Sequence, residues 1–291
     1  MRRVPVVATI RDAYTFALTH LGGVIGLIWV PTVLLTVMGF FSSQRFYNDY
    51  IEAIAADNAA ALGPGLLMML GYLVAMLLLQ AMIHVAVVQL AMGSRSGSVV
   101  AHFAFGAPEW RMFRAFVAFV GLVFVLLIPV LIVGNVALMA GGAGGRVPQA
   151  AMAVLMALVL YGVVIVVTPR FLVLLPAIAV AETAPVLRRA WTLSSGNFWR
   201  LLAVMIGIFG PVLVLFTVLE MALAGHASPP ADANAQVQMV AGVMRAREVL
   251  PLISGLGFLV SPLLVGLFVG ASVSAWRALK EDAGSTTVLE A

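Results

Sequence analysis

The sequence contains no cysteine and a single lysine, Lys280. Without cysteine there are no disulfides, no thiolate metal sites and no cysteine nucleophile. Charge is scarce: 10% of the 291 residues are charged, against about 25% in a soluble globular domain. Four histidines (His20, His84, His102, His226) are scattered without a His-x-x-x-His pair. No Gly-x-Ser-x-Gly elbow is present. Gly141 to Gly145 is not followed by Gly-Lys-Ser/Thr, so it reads as a turn and not as a phosphate loop. These absences argue against catalysis of the chain's own, and no metal or cofactor is expected.

What is abundant is apolar. Hydrophobic residues make up 63% of the chain, and the mean hydropathy is +1.11. A membrane span needs about 20 mostly apolar residues. Six stretches qualify, at about 21–41, 66–92, 113–140, 149–168, 201–224 and 250–276. The expected fold is an all-α, polytopic membrane protein of six transmembrane helices in one integral domain over 1–291.

Orientation follows from the basic residues of the connectors. Alternate sides carry twelve against four, which puts both termini in the cytoplasm. Trp110, Trp191, Trp199 and Trp276 fall at the same inner interface, where tryptophan anchors membrane proteins. The first apolar run has spanning length and no clear small-x-small cleavage site, so it reads as a retained signal anchor. Arginine outnumbers lysine fifteen to one and alanine is abundant, a bias of GC-rich bacterial genomes. The expected location is the bacterial inner membrane. The basic balance is thereby accounted for by orientation, and no nucleic acid partner is implied.

The densest stretch runs from Thr168 to Leu202 and holds four of the sixteen basic residues. Pro185 suits the first turn of a helix, and Gly196 suits its stop. Between them a helical projection puts Val186, Leu187, Ala190, Trp191 and Leu193 on one side. Arg188, Arg189 and Thr192 fall on the other, with Ser194 misplaced. That is the pattern of an interfacial amphipathic helix before the fifth span. Phe198, Trp199 and Arg200 then anchor that span. An ion pair between Arg170 and Glu182 is expected to hold the fourth span against the basic helix. Arg170, Glu182, Arg188, Arg189, Trp191, Trp199 and Arg200 are the candidate contacts for membrane lipids or a membrane protein partner.

Arg170, Pro176, Glu182, Ala190-Trp191, Leu193 and Gly196-Asn197 resemble a pattern of the membrane domain associated with glycerophosphoryl diester phosphodiesterases, and of the related YciC-like bacterial membrane proteins. The specific part covers about 35 residues of this chain. Ala190 stands where the family most often has serine. The resemblance implies a six-span membrane domain that is sometimes fused to a phosphodiesterase barrel and often stands alone without an assigned activity. A barrel takes about 250 residues, and only a short tail follows the last span, so phosphodiesterase chemistry is not carried over.

Several finer expectations follow. From Val147 to Ala181 the chain is too long for one simple span and is broken by Pro169 and Pro176. A span ending near Thr168 and a kinked continuation along the inner interface to Glu182 are expected, with a re-entrant element as the alternative. Three two-span repeats are suggested by aromatic-basic entries at Arg11 to His20, Glu109 to Arg114 and Pro185 to Arg200, each before a span with an internal proline (Pro31, Pro129, Pro211). Tyr47 to Leu62 reads as a short outer helix, and Ala231 to Val249 as a polar surface helix.

Polar groups within spans are costly and mark function or helix contacts. Gln80 and His84 share one face of the second span, Asn135 lies late in the third and Glu220 late in the fifth. Gln80 and His84 are expected to hydrogen-bond between helices. Gly22/Gly26 and Gly266/Gly270 are small-xxx-small pairs that permit close helix contact. The function expected is a non-catalytic inner-membrane protein of membrane organisation, regulation or partner binding. A transporter or lipid-handling protein, with a path lined by Gln80, His84 and the broken fourth span, is the alternative.

Overall fold

The computed structural model describes residues 3–95, 105–142, 158–159, 162, 165–171, 173–183, 185–224 and 235–280. For 131, 133–142, 220–224, 235–236 and 238–239 it describes the backbone alone. Every described element is helical. In chain order these are α1 (Val6–Thr19), α2 (Leu21–Ala55), a 3-10 turn (Ala59–Leu62), α3 (Gly63–Met92) and α4 (Ala107–Gly142). A helical stretch at 165–171 precedes α5 (Leu175–Ala181), α6 (Val186–Ser194), α7 (Phe198–Ala224) and α8 (Ala235–Lys280). Among the described residues, five helices are long and apolar enough to cross a membrane: α2, α3, α4, α7 and α8. The fourth expected span, 149–168, falls largely outside the described residues.

The outward surface of these helices is apolar. Val125 and Ile128 of α4, Leu213, Val214 and Leu215 of α7, and Leu67 of α3 are all exposed. In water such a belt is an aggregation hazard; in lipid it is ordinary solvent contact.

Two helix boundaries differ from expectation. Tyr47 to Leu62 is not a separate helix: α2 continues to Ala55, and the 3-10 turn follows. No glycine or proline between Phe41 and Ala55 stops it. Its extension is fixed by Asp49, which is buried, pairs with Arg45 one turn earlier at 3.0 Å, and lies against Gly65 of α3. Nor is the described part of the expected Ala231 to Val249 helix separate, because α8 runs unbroken from Ala235 through Pro251 and Pro262. Proline is tolerated where neighbouring groups in a membrane protein satisfy the freed carbonyls.

The bundle has a distinct end, marked by α1. The Val4 N–H donates to Asn197 Oδ1 at 3.0 Å, which ties the chain before α1 to the start of α7. Ser274 Oγ donates to Asp12 Oδ2 at 3.0 Å, which brings the last turns of α8 to α1. Arg277 reaches the Ala91 carbonyl at the end of α3. Arg111, near the start of α4, donates to the Ala179 carbonyl of α5 at 3.1 Å. The starts of α2, α4 and α7 and the ends of α3 and α8 therefore share this end with α1, α5 and α6.

At this end α5 is packed inside the protein. Leu175, Ala177, Ile178 and Ala179 have no exposed surface. The helix packs against α3, α4 and α8. Pro176 sits in its first turn, where a missing N–H is harmless. The Ala177 N–H, which has no partner within so short a helix, donates to buried Ser272 Oγ of α8 at 3.2 Å.

The entry stretches are not three of a kind. The first and third are separate helices, α1 and α6, whereas Glu109 to Arg114 lies inside α4. Ala13 of α1 and Ala190 of α6 are both fully buried.

Candidate functional site

The stretch from Arg170 to Arg200 folds as a cap over the α1 end. Helix α6 begins after Pro185, which stands one position before the first helical residue. After α6 the chain reverses at Gly196, whose φ of +76° is a left-handed conformation that favours glycine. Asn197 follows as the residue that opens α7 and is almost wholly buried. Its side chain holds Val4, and Arg200 one turn later donates to the Val4 carbonyl at 3.3 Å. The Gly-Asn-Phe-Trp-Arg run is thus the socket for the N-terminal segment.

Arg170 and Glu182 do not pair. The Arg170 guanidinium lies 4.5 Å from the Trp191 ring centroid and 5.5 Å from that of Phe198. Phe171 stacks on Trp191 at 5.8 Å. Arg170 is half-buried and its Nε has no hydrogen-bond partner among the described residues. Here the aromatic faces stabilise the cation, a contact worth about 2 kcal/mol when desolvated. Glu182 instead accepts from Arg189 Nε at 2.9 Å and from Trp276 Nε1 at 3.0 Å. One carboxylate therefore joins α6 to the end of α8.

The projected faces of α6 need one adjustment. Ala190 is buried and Val186, Leu187 and Leu193 are half-buried, as projected. Ser194 is also buried, and its hydroxyl is satisfied by the Trp191 carbonyl at 3.0 Å. Trp191 is 53% exposed, with one side covered by Arg170 and Phe171. The candidate contacts thus divide. Arg170, Glu182, Arg189 and Arg200 are engaged within the protein. Arg188, Trp191 and Trp199 face outward, Trp199 at 76% exposure.

No family model, curated protein or solved structure matches this chain. The functional reading therefore rests on the site itself.

A second locus lies in the bundle. His84 of α3 is buried, and its Nδ1 donates to the Gln80 carbonyl at 2.7 Å. A carbonyl only accepts, so in the neutral ring Nε2 is the free acceptor. Phe116 of α4 and Phe268 of α8 meet the ring edge-on, each at 5.4 Å. Among the described residues the expected hydrogen bonds between helices are not made; His84 bonds within its own helix, and aromatic contacts join α3 to its neighbours. His84 and Gln80 border a cavity of about 370 Å³ whose other walls, Met76, Phe116, Phe209 and Phe268 among them, are apolar. The side chains of Asn135 and Glu220 lie outside the described residues.

Two arginines had only a topological meaning in the sequence. Arg111 and Arg114 of α4 lie with Arg188 of α6 around one cavity at the α1 end. Residues 74 or more positions apart meet there, and no local pattern announces that meeting.

Proposed function

We propose that this chain is a non-catalytic protein of the bacterial inner membrane that recruits a membrane protein partner through the outward face of the α6–α7 cap. The α1 end is the cytoplasmic end, and both termini lie there. Six crossings belong to this reading. Helix α4 starts at the α1 end and leads away from it, while α5 is back at that end. The resemblance to the phosphodiesterase-associated membrane domain belongs to it as well, through Arg170, Glu182 and Gly196-Asn197. The observation that carries the proposal is the division within the cap: Arg170, Glu182, Arg189 and Arg200 are engaged within the protein, yet Trp199 stays 76% exposed. Tryptophan beside arginine is the usual anchor of a protein interface.

The test is extraction in a lipid-preserving polymer, followed by mass spectrometry of co-purifying proteins. A specific partner should be recovered with the wild type and lost with Trp199→Ala, a change that costs the cap the edge-on contact of Trp199 with Phe198. Equal recovery with both would contradict the proposal. Lipid handling is the second reading, and the cavity beside His84 favours it, because its apolar walls suit an acyl chain. Enrichment of one lipid that Val120→Phe abolishes would support that reading over recruitment.

A further inference from the structure

We infer that the cavity between α4 and α6 is a binding site for one anionic phospholipid, with Arg111, Arg114 and Arg188 holding its phosphate. The inference rests on membrane embedding alone, not on the partner surface at Trp199. The cavity measures about 600 Å³. Among the described residues, its lining carries the three arginines and no acidic residue. Three acids pair with other arginines: Asp12 with Arg11, Asp49 with Arg45, Glu182 with Arg189.

Two of the three cations are held in place. Arg111 is half-buried and bonded through Nε to the Ala179 carbonyl, which leaves its Nη groups for a ligand. Arg114 lies over the Trp110 ring at 5.9 Å. Arg188 is exposed and completes the rim from α6.

The second tier is apolar. Ala115 and Ala118 lie one and two turns along α4 from Arg111, with Val186 and Leu187 opposite. Seven residues of helix rise about 10 Å, so the cavity passes from a cationic tier to a small-residue groove over that length. A free anion would use the first tier only. A phospholipid uses both, its phosphate at the arginines and the start of an acyl chain along the alanines. Basic pockets between membrane helices suit such headgroups.

The experiment is native mass spectrometry of the full chain, titrated with phosphatidylglycerol, phosphatidylcholine or inorganic phosphate. Each arginine near an anionic lipid contributes roughly 1 kcal/mol, so the wild type should prefer phosphatidylglycerol by about tenfold or more. R111Q/R114Q/R188Q should abolish the preference. A118F, which keeps all three arginines, should reduce phosphatidylglycerol adducts to the phosphatidylcholine level and so tests the groove without touching charge. Trp199→Ala should leave the preference intact, whatever it does to a protein partner. Retained preference in the triple variant or in A118F would overturn the inference. So would phosphatidylglycerol binding displaced equally well by inorganic phosphate, or lost with Trp199→Ala.

Discussion

Replacing Gly266 and Gly270 together by leucine should detach α1 from α8. A side chain at Gly270 would meet the Ala13 Cα at 3.0 Å and its carbonyl oxygen at 3.3 Å. At Gly266 it would meet the Ala17 Cα at 3.2 Å. These obstacles are backbone atoms, which cannot rotate away as a side-chain end can. Ala13 and Ala17 are fully buried in this contact, so there is no room to yield. Overpacking of this kind costs about 1–3 kcal/mol at each position. The absence of cysteine provides a clean readout. Thr9 is buried on α1 and its hydroxyl has no partner among the described residues, so Thr9→Cys is a mild reporter. It should resist a water-soluble maleimide in the parent and label rapidly in the double leucine variant, with a lowered melting temperature. Unchanged protection and melting would mean that the α1–α8 contact is not as close as described.

The second large effect concerns Glu182. Glu182→Ala removes the acceptor of both Arg189 and Trp276. Hydrogen bonds to a charged group contribute about 1.5–3 kcal/mol each, and the partial exposure of Arg189 reduces its share, so a loss of about 2–3 kcal/mol is expected. Glu182→Gln keeps an oxygen for the Trp276 N–H but gives up the charge, and should lose about half as much. Charge exchange decides between partners: Glu182→Arg should be rescued by Arg189→Glu and not by Arg170→Glu. Rescue through Arg170 would restore the pairing that the sequence suggests and the structure does not make. Thermal melts of purified protein in detergent measure all of these.

The contrast between Arg170 and Glu182 shows where sequence reading reached its limit. Opposite charges in one connector suggest a pair, but pairing is settled by which side chains the fold brings together. Trp276, 94 positions from Glu182, has no local signal that marks it as a partner. By contrast, the long apolar helices were legible, because lipid solvent imposes a length and a composition on each helix separately. Their ends were less so. Helix α2 overruns its apolar run by about four turns, and Asp49 within them lies against Gly65, a tertiary contact. Gly266/Gly270 announced a close approach, yet the partner is α1 and not another spanning helix. Helix α5 was visible as a break at Pro169 and Pro176, while its enclosure depends on Ser272, far along the chain. The cap followed the same division. Its helix and its Gly196 reversal were local and readable. The docking of Val4 on Asn197 and the gathering of Arg111, Arg114 and Arg188 were not.

The central claim is that α1, the α6 cap and the end of α8 lie together on the cytoplasmic side, with the α2–α3 connection on the other. Single cysteines at exposed Arg11, Thr192 and Glu52 test it most directly, since the chain offers no competing thiol. With a membrane-impermeant maleimide on intact cells, Glu52→Cys should label, and Arg11→Cys and Thr192→Cys should label only after permeabilisation. Labelling of Arg11→Cys and Thr192→Cys from opposite sides would contradict the account, because the bond between Val4 and Asn197 requires both to share one side.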